Sequence, residues 1–165
     1  MWEVKSFSFT VKGEPFGKLN QRPTMKCGFA SLYQPKENEV YMNKVICAIE
    51  TTLPKSYEGQ LFGKEPVEVK IDAYFKIPQE CYHYYKKEGV TRLNGKGQRM
   101  VEGKKLPTKK PDCDNISKII CDGITHQHYI WNDDNQVARL IVSKFYSEEP
   151  RVVVTISKIE LNDTI

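Results

Sequence analysis

Lys109-Lys110-Pro111-Asp112-Cys113-Asp114-Asn115-Ile116-Ser117-Lys118-Ile119-Ile120-Cys121-Asp122-Gly123 holds a basic approach, a helix start and a helix in one run. Pro111 disfavours helix at Lys110 and pushes that residue extended. Asp114 stands where an N-cap belongs, since its carboxylate can accept a first-turn backbone N–H. Ile116, Ile119 and Ile120 then form a buried stripe at helical spacing, and Gly123 is expected to end the helix with a left-handed residue. Asp112 and Asp114, two apart on extended or cap-like backbone, are expected to point the same way. Cys113 between them is expected to pack inward. Lys118 follows Asp114 by one turn on the same face, with Asp122 as its expected ion-pair partner one turn further on.

Around this helix the chain reads as a single α/β (α+β) domain over residues 1–165, a length that can bury a proper core. Val67, Val69, Ile71, Ala73, Phe75 and Ile77 alternate with polar residues and give the clearest strand, with one side solvated or at an edge. Trp2 to Val11 reads as a strand turned by Gly13 and Pro15. Residues 16–35 read as an irregular polar loop. Glu37 to Leu53 reads as a helix with Val40, Tyr41, Val45, Ala48 and Ile49 on its apolar face, stopped by Pro54. Gln79 to Glu88 reads as a short helix, and Gly89 to Pro107 as a mobile basic loop, so that 79–107 forms an insertion. Strands at 136–146 and 151–160, joined by the turn Ser147 to Pro150, are expected to pair as an antiparallel hairpin. The expected whole is a mixed sheet of about four strands covered by two or three helices.

Residues 82–110 carry nine Lys or Arg against Glu88 and Glu102, a net +7 in a chain of net +4, so the remainder is −3. Such a patch is the footprint of a polyanion partner; a solvated loop is the plainer reading of the same charges. Asp112, Asp114 and the later pair Asp133-Asp134 supply hard oxygen donors beside that patch. Mg²⁺ is commonly held by one or two carboxylates with water and substrate phosphate, the combination phosphodiester hydrolysis uses. Taken singly, each acid also reads as a helix cap or a solvated turn. Five cysteines without a Cys-x-x-Cys fit a reduced cytoplasmic chain and speak against a zinc ribbon. His126 and His128 lack the further ligands a zinc site needs. No signal peptide or membrane-length apolar run is apparent.

The pattern Asp112-x-Asp114-Asn115-x-x-Lys118, then Asp122-Gly123, then Asp133-Asp134-x-Gln136-Val137, resembles the RusA-type Holliday junction resolvases (crossover junction endodeoxyribonucleases) of bacteria and prophages. Gly13-Glu14-Pro15 and Arg22-Pro23 resemble the opening of the same family. The resemblance implies a homodimeric, Mg²⁺-dependent endonuclease, with Mn²⁺ as a substitute, that nicks four-way DNA junctions in pairs during recombination and repair. It implies Asp112, Asp114 and Asp134, or Asp133 beside it, as metal-binding carboxylates, and Lys118 as a further catalytic group. Lys18, Arg22, Lys104, Lys105, Lys109 and Lys110 are the expected DNA-backbone contacts. No small-molecule cofactor and no membrane partner are expected. Two other readings of the residues stay open: a non-catalytic DNA-binding protein, and a metal nuclease for other branched DNA.

Overall fold

The computed structural model describes residues 4–55 and 57–159. The expected strand positions at Trp2 and at residue 160 lie outside them. Chain order is β1 (Ser6–Lys12), β2 (Arg22–Lys26), β3 (Phe29–Tyr33), α1 (Lys36–Thr52), β4 (Val67–Lys76), β5 (Tyr82–Tyr85), β6 (Val90–Leu93), α2 (Gly95–Val101), α3 (Cys113–Gln127), β7 (Val137–Ser147) and β8 (Arg151–Lys158). Four strands form the main mixed sheet in the order β1-β8-β4-β7, and α1 and α3 pack together over one face of it.

The alternation in β4 is what the sheet is built around. Val67, Val69, Ile71 and Ala73 are all fully buried. The opposite face carries the pairs Lys70–Asp72 and Glu68–Arg139, with Arg151 over the ring of Tyr74, so that side is solvated as expected. β4 is nevertheless not an edge. It pairs parallel with β7 and antiparallel with β8. The expected β7–β8 hairpin therefore does not form: the turn at 148–150 carries the chain across the end of β4. A direct hairpin would leave one side of the most apolar strand without backbone partners, whereas insertion satisfies both.

The helices fit the sheet through matched apolar faces. α1 buries Asn38, Tyr41, Val45 and Ile49, while Val40 falls outside the stripe and is exposed. α3 buries Ile116, Ile119, Ile120 and Ile124. It runs through Gly123 and ends at His128, which takes the left-handed conformation at φ 61°. Gly123 serves packing instead: a Cβ there would lie 2.8 Å from Val45 Cγ1 and 2.9 Å from Val45 Cβ.

Two stretches expected to lack strands contain them. Residues 16–35 hold the β2–β3 hairpin. Residues 79–107 hold a 3-10 turn at Gln79–Cys81, then β5, β6 and α2. Ile77, Cys81 and Met100 make a second small core there, with Tyr82, Leu93 and Tyr146 against it. The short helix expected at 79–88 is replaced by that turn and β5. Its aromatic run Tyr82, Tyr84 and Tyr85 suits a strand better than a helix. No described helix is long and apolar enough to cross a membrane.

Gly123→Ala tests the α1–α3 approach. Alanine improves intrinsic helix propensity by about 1 kcal/mol, but its methyl must displace a buried, branched Val45, an overpacking cost of about 1–3 kcal/mol. Urea denaturation should show net destabilisation, relieved when Val45→Ala is added.

Candidate active site

The structure moves the cap of α3 by two residues. Asp112 is the N-cap residue, at φ −78° and ψ 154°, and Asp114 lies in the first turn. The Asp112 carboxylate makes no capping hydrogen bond and is exposed, so it is left open to the groove beside it. Cys113 is exposed instead of packed inward, because it opens the helix on the turn before the apolar stripe begins. Asp114 lies 3.2 Å from Lys118 Nζ. That hydrogen bond, with the charge of Lys118, holds the Asp114 carboxyl below the usual carboxylate range.

Lys118 thus pairs back to Asp114 and not forward to Asp122. Asp122 is taken by Lys18, whose Nζ lies 2.5 Å from it. Lys18 reaches α3 because residues 16–20 cross the start of the helix. Its backbone N–H donates to Asn115 O at 2.9 Å. The crossing is close enough that a Cβ on Gly17 would lie 2.5 Å from Pro111 Cβ. Asn38 fixes the same segment from α1: its Oδ1 accepts from Leu19 N–H at 2.8 Å and its Nδ2 donates to Leu19 O at 2.9 Å. Phe16 stacks on Tyr41 with centroids 5.2 Å apart. On the other side Lys144 Nζ donates to Lys109 O at 2.6 Å and Pro111 O at 3.0 Å. The result is a cavity of about 370 Å³ lined by Phe16, Lys18, Asn20, Lys110, Asp112 and Asn115. A neighbouring cavity shares Lys18, Asn20 and Asn115 with it and adds Gln21, Gln34 and Lys118.

The second acidic segment is fixed from both ends. Trp131 is fully buried and its Nε1 donates to Thr125 Oγ1 at 2.9 Å. Gln136 does more. Its Oε1 accepts from Asn132 N–H at 2.8 Å and Asp133 N–H at 3.1 Å, and its Nε2 donates to Gly63 O and Glu65 O, each at 2.9 Å. Asp133 caps the following turn by accepting from Asn135 N–H at 2.9 Å. Asp134 is then held near two other acids. Partial burial first, then the Asp133 carboxyl and the charge of Asp122, push the Asp134 carboxyl above the usual carboxylate range. Burial, followed by the charges of Asp134 and Asp122, pushes the Cys121 thiol up to about 12, so it is an inert core group.

Asp122, Asp133 and Asp134 thus share one negative field. Asp112 and Asp114 lie at the N-terminal end of α3, each beside a lysine-lined surface. Among the described residues no three His, Cys, Asp or Glu side chains are gathered tightly enough to hold a metal. The donor chemistry still fits a hard cation. Every candidate ligand is a carboxylate, and Asp134 lies near the charges of Asp133 and Asp122, a field that a divalent ion would neutralise. Mg²⁺ needs only one or two protein carboxylates when water and phosphate complete its shell.

The expected DNA contacts fall in separate places. Lys18 lines the groove while paired to Asp122, and Lys109 and Lys110 are exposed beside Asp112. Arg22 stands at the base of the β2–β3 hairpin. Lys104 pairs with Glu102 and, with Lys96, Arg99 and Lys105, surrounds a cavity of about 610 Å³. Asn38 and Lys144 were not legible as positioning groups. A polar residue inside the apolar stripe of α1 was the available signal for Asn38; a lysine midway along a strand gave none for Lys144.

A one-sided α/β layer that lines a groove with carboxylates and cations suits a polyanionic substrate, and the chain belongs to the RusA endodeoxyribonuclease family. The profile of that family, described as "Endodeoxyribonuclease RusA", matches residues 12–157. A Bacillus subtilis (strain 168) relative, YqaN, described as an uncharacterized protein, is 32% identical over 151 residues, covering 92% of this chain and 95% of that protein.

The acidic crowding gives a pH prediction. Because the folded Asp134 pKa is raised, its contribution to stability is present below the unfolded pKa and is lost as pH rises through the folded value. Asp133→Asn keeps a capping oxygen but removes one charge. Carboxyl NMR titration should show the Asp134 midpoint falling toward the ordinary range, with a flatter stability profile in mild acid. An unchanged midpoint would contradict the assigned cause.

Proposed function

We propose that this protein is a Mg²⁺-dependent, structure-selective endodeoxyribonuclease that resolves four-way DNA junctions by paired symmetric nicks in recombination and repair. The reading rests on the family membership together with one observation: Asp114, Lys118 and Asp122 follow one another along α3 beside a groove, with Lys18 paired to Asp122. Asp112, Asp114 and Asp134, with Asp133 beside it, are the residues that would hold the cation. Bound there, Mg²⁺ supplies an acidified water and charge stabilisation at the phosphate; Mn²⁺ has the same oxygen preference.

The chain's own residues do the rest. Lys118 holds Asp114 ionised and presents its ammonium toward the groove, where it can neutralise a non-bridging phosphate oxygen. Gln136 and the buried Trp131 hold the acidic turn rigid, so that its carboxylates need not reorganise as the reaction proceeds. Lys109, Lys110, Lys104 and Lys105 contact the sugar–phosphate backbone, a mode largely blind to sequence and steeply salt-dependent. A four-way junction has two-fold symmetry, and a homodimer would bring one such site to each of two opposed strands.

Cleavage of a labelled four-way junction with Mg²⁺, against linear duplex, tests the reading. Wild type should make paired symmetric nicks in the junction alone. Asp112→Asn should lose cleavage by at least about 100-fold, a loss typical when one transition-state charge stabiliser is removed, while its gel shift remains. Binding without cleavage by wild type in either Mg²⁺ or Mn²⁺ would leave a non-catalytic DNA-binding protein.

A further inference from the structure

The β2–β3 hairpin is two-faced. The pairs Arg22–Tyr33, Pro23–Leu32, Thr24–Ser31, Met25–Ala30 and Lys26–Phe29 lie directly opposite one another. Opposed residues share a side and successive residues alternate. One face therefore carries Arg22, Lys26, Phe29 and Tyr33, with Thr24 and Ser31 between them. The other carries Pro23, Met25, Ala30 and Leu32. Cys27 and Gly28 close the hairpin with positive φ at both positions, 50° and 82°, the tight turn that preserves this register.

The hairpin forms a sheet of its own, and nine of its ten strand residues are exposed. Phe29 is 78% exposed and Tyr33 45%. Their rings are not needed by the core. Residues 15–36 contain Lys18, Arg22, Lys26 and Lys36 and no Asp or Glu, so this arm repels cations and attracts polyanions. It also springs from the rim of the groove. Gln21 and Gln34, which line the cavity with Lys118, directly precede Arg22 and follow Tyr33.

We propose that the β2–β3 hairpin is a DNA-gripping arm: Arg22 and Lys26 hold backbone phosphates, while Phe29 and Tyr33 stack on bases exposed at a branch point. The inference rests on the function proposed above and extends it to a specificity element outside the carboxylate site. Cations interleaved with aromatic rings on one face match the chemistry of DNA with open base faces. A fully paired duplex offers only the phosphates. The arm therefore biases the enzyme toward branched DNA by adding stacking that linear duplex cannot return.

The test measures binding without cleavage, by fluorescence anisotropy in the absence of divalent metal, using a four-way junction and a linear duplex. Phe29→Ala with Tyr33→Ala should weaken junction binding by about tenfold or more, the scale of lost base stacking, and leave duplex binding nearly unchanged. Arg22→Ala with Lys26→Ala should weaken both and lower the salt slope by about 2, two phosphate contacts. Met25→Ser with Leu32→Ser, on the far face, should change neither. Thermal melting should be the same for all, since the arm lies off the core. Wild type that binds junctions while both near-face variants bind as tightly overturns this inference alone. Wild type that binds no DNA overturns it together with the proposed function. Weakened binding accompanied by a change of oligomeric state in sedimentation also overturns it, since the arm would then be a contact between copies of the chain.

Discussion

The burial of α3 sets the position of everything chemical in this protein. Ile116, Ile119, Ile120 and Ile124 are fully buried, each contributing about 1.5–3 kcal/mol through removal from water. The exposed Asp114–Lys118 pair is screened by water and contributes far less than that burial. The apolar stripe therefore fixes the rotation of the helix, and the charged face follows from it. With 3.6 residues per turn, Asp114, Lys118 and Asp122 fall in line on the outward side. Gly123 against Val45 and Gly17 against Pro111 set how closely neighbouring segments approach that helix.

Charge along the site is unevenly compensated. Lys118 answers Asp114 and Lys18 answers Asp122. Asp134 has acidic neighbours instead, and partial burial first, then those neighbours, raise its carboxyl above the usual range. The hydrogen bonds of Gln136 and the buried Trp131 resist the turn's tendency to open and let the carboxylates separate.

Much of the core was legible in the sequence. The period of two in Val67 to Ile77 and the isoleucine spacing in α3 are direct records of burial, and both elements form where that spacing places them. Strand pairing was not legible: β7 and β8 are adjacent in sequence, and nothing local records that β4 lies between them. The β2–β3 hairpin was missed because its alternation is between a basic-aromatic face and an apolar face, with no side committed to the core. The basic stretch 82–110 reads by charge, which conceals the small core of Ile77, Cys81 and Met100. Within the site, the residue types were legible but their pairings were not. Lys118 has an acid one turn away in each direction, and only the arrival of Lys18 from a distant segment decides between them.

The central proposal is that the carboxylates of this site hold the divalent cation that phosphodiester cleavage uses. Anomalous diffraction from crystals grown with Mn²⁺ and a non-cleavable four-way junction tests it most directly. The account predicts one or more peaks within coordination distance of Asp112, Asp114, Asp134 or Asp133 beside it, with a backbone phosphate in the same shell. A peak coordinated elsewhere, or junction DNA bound with no ion at these residues, would contradict it.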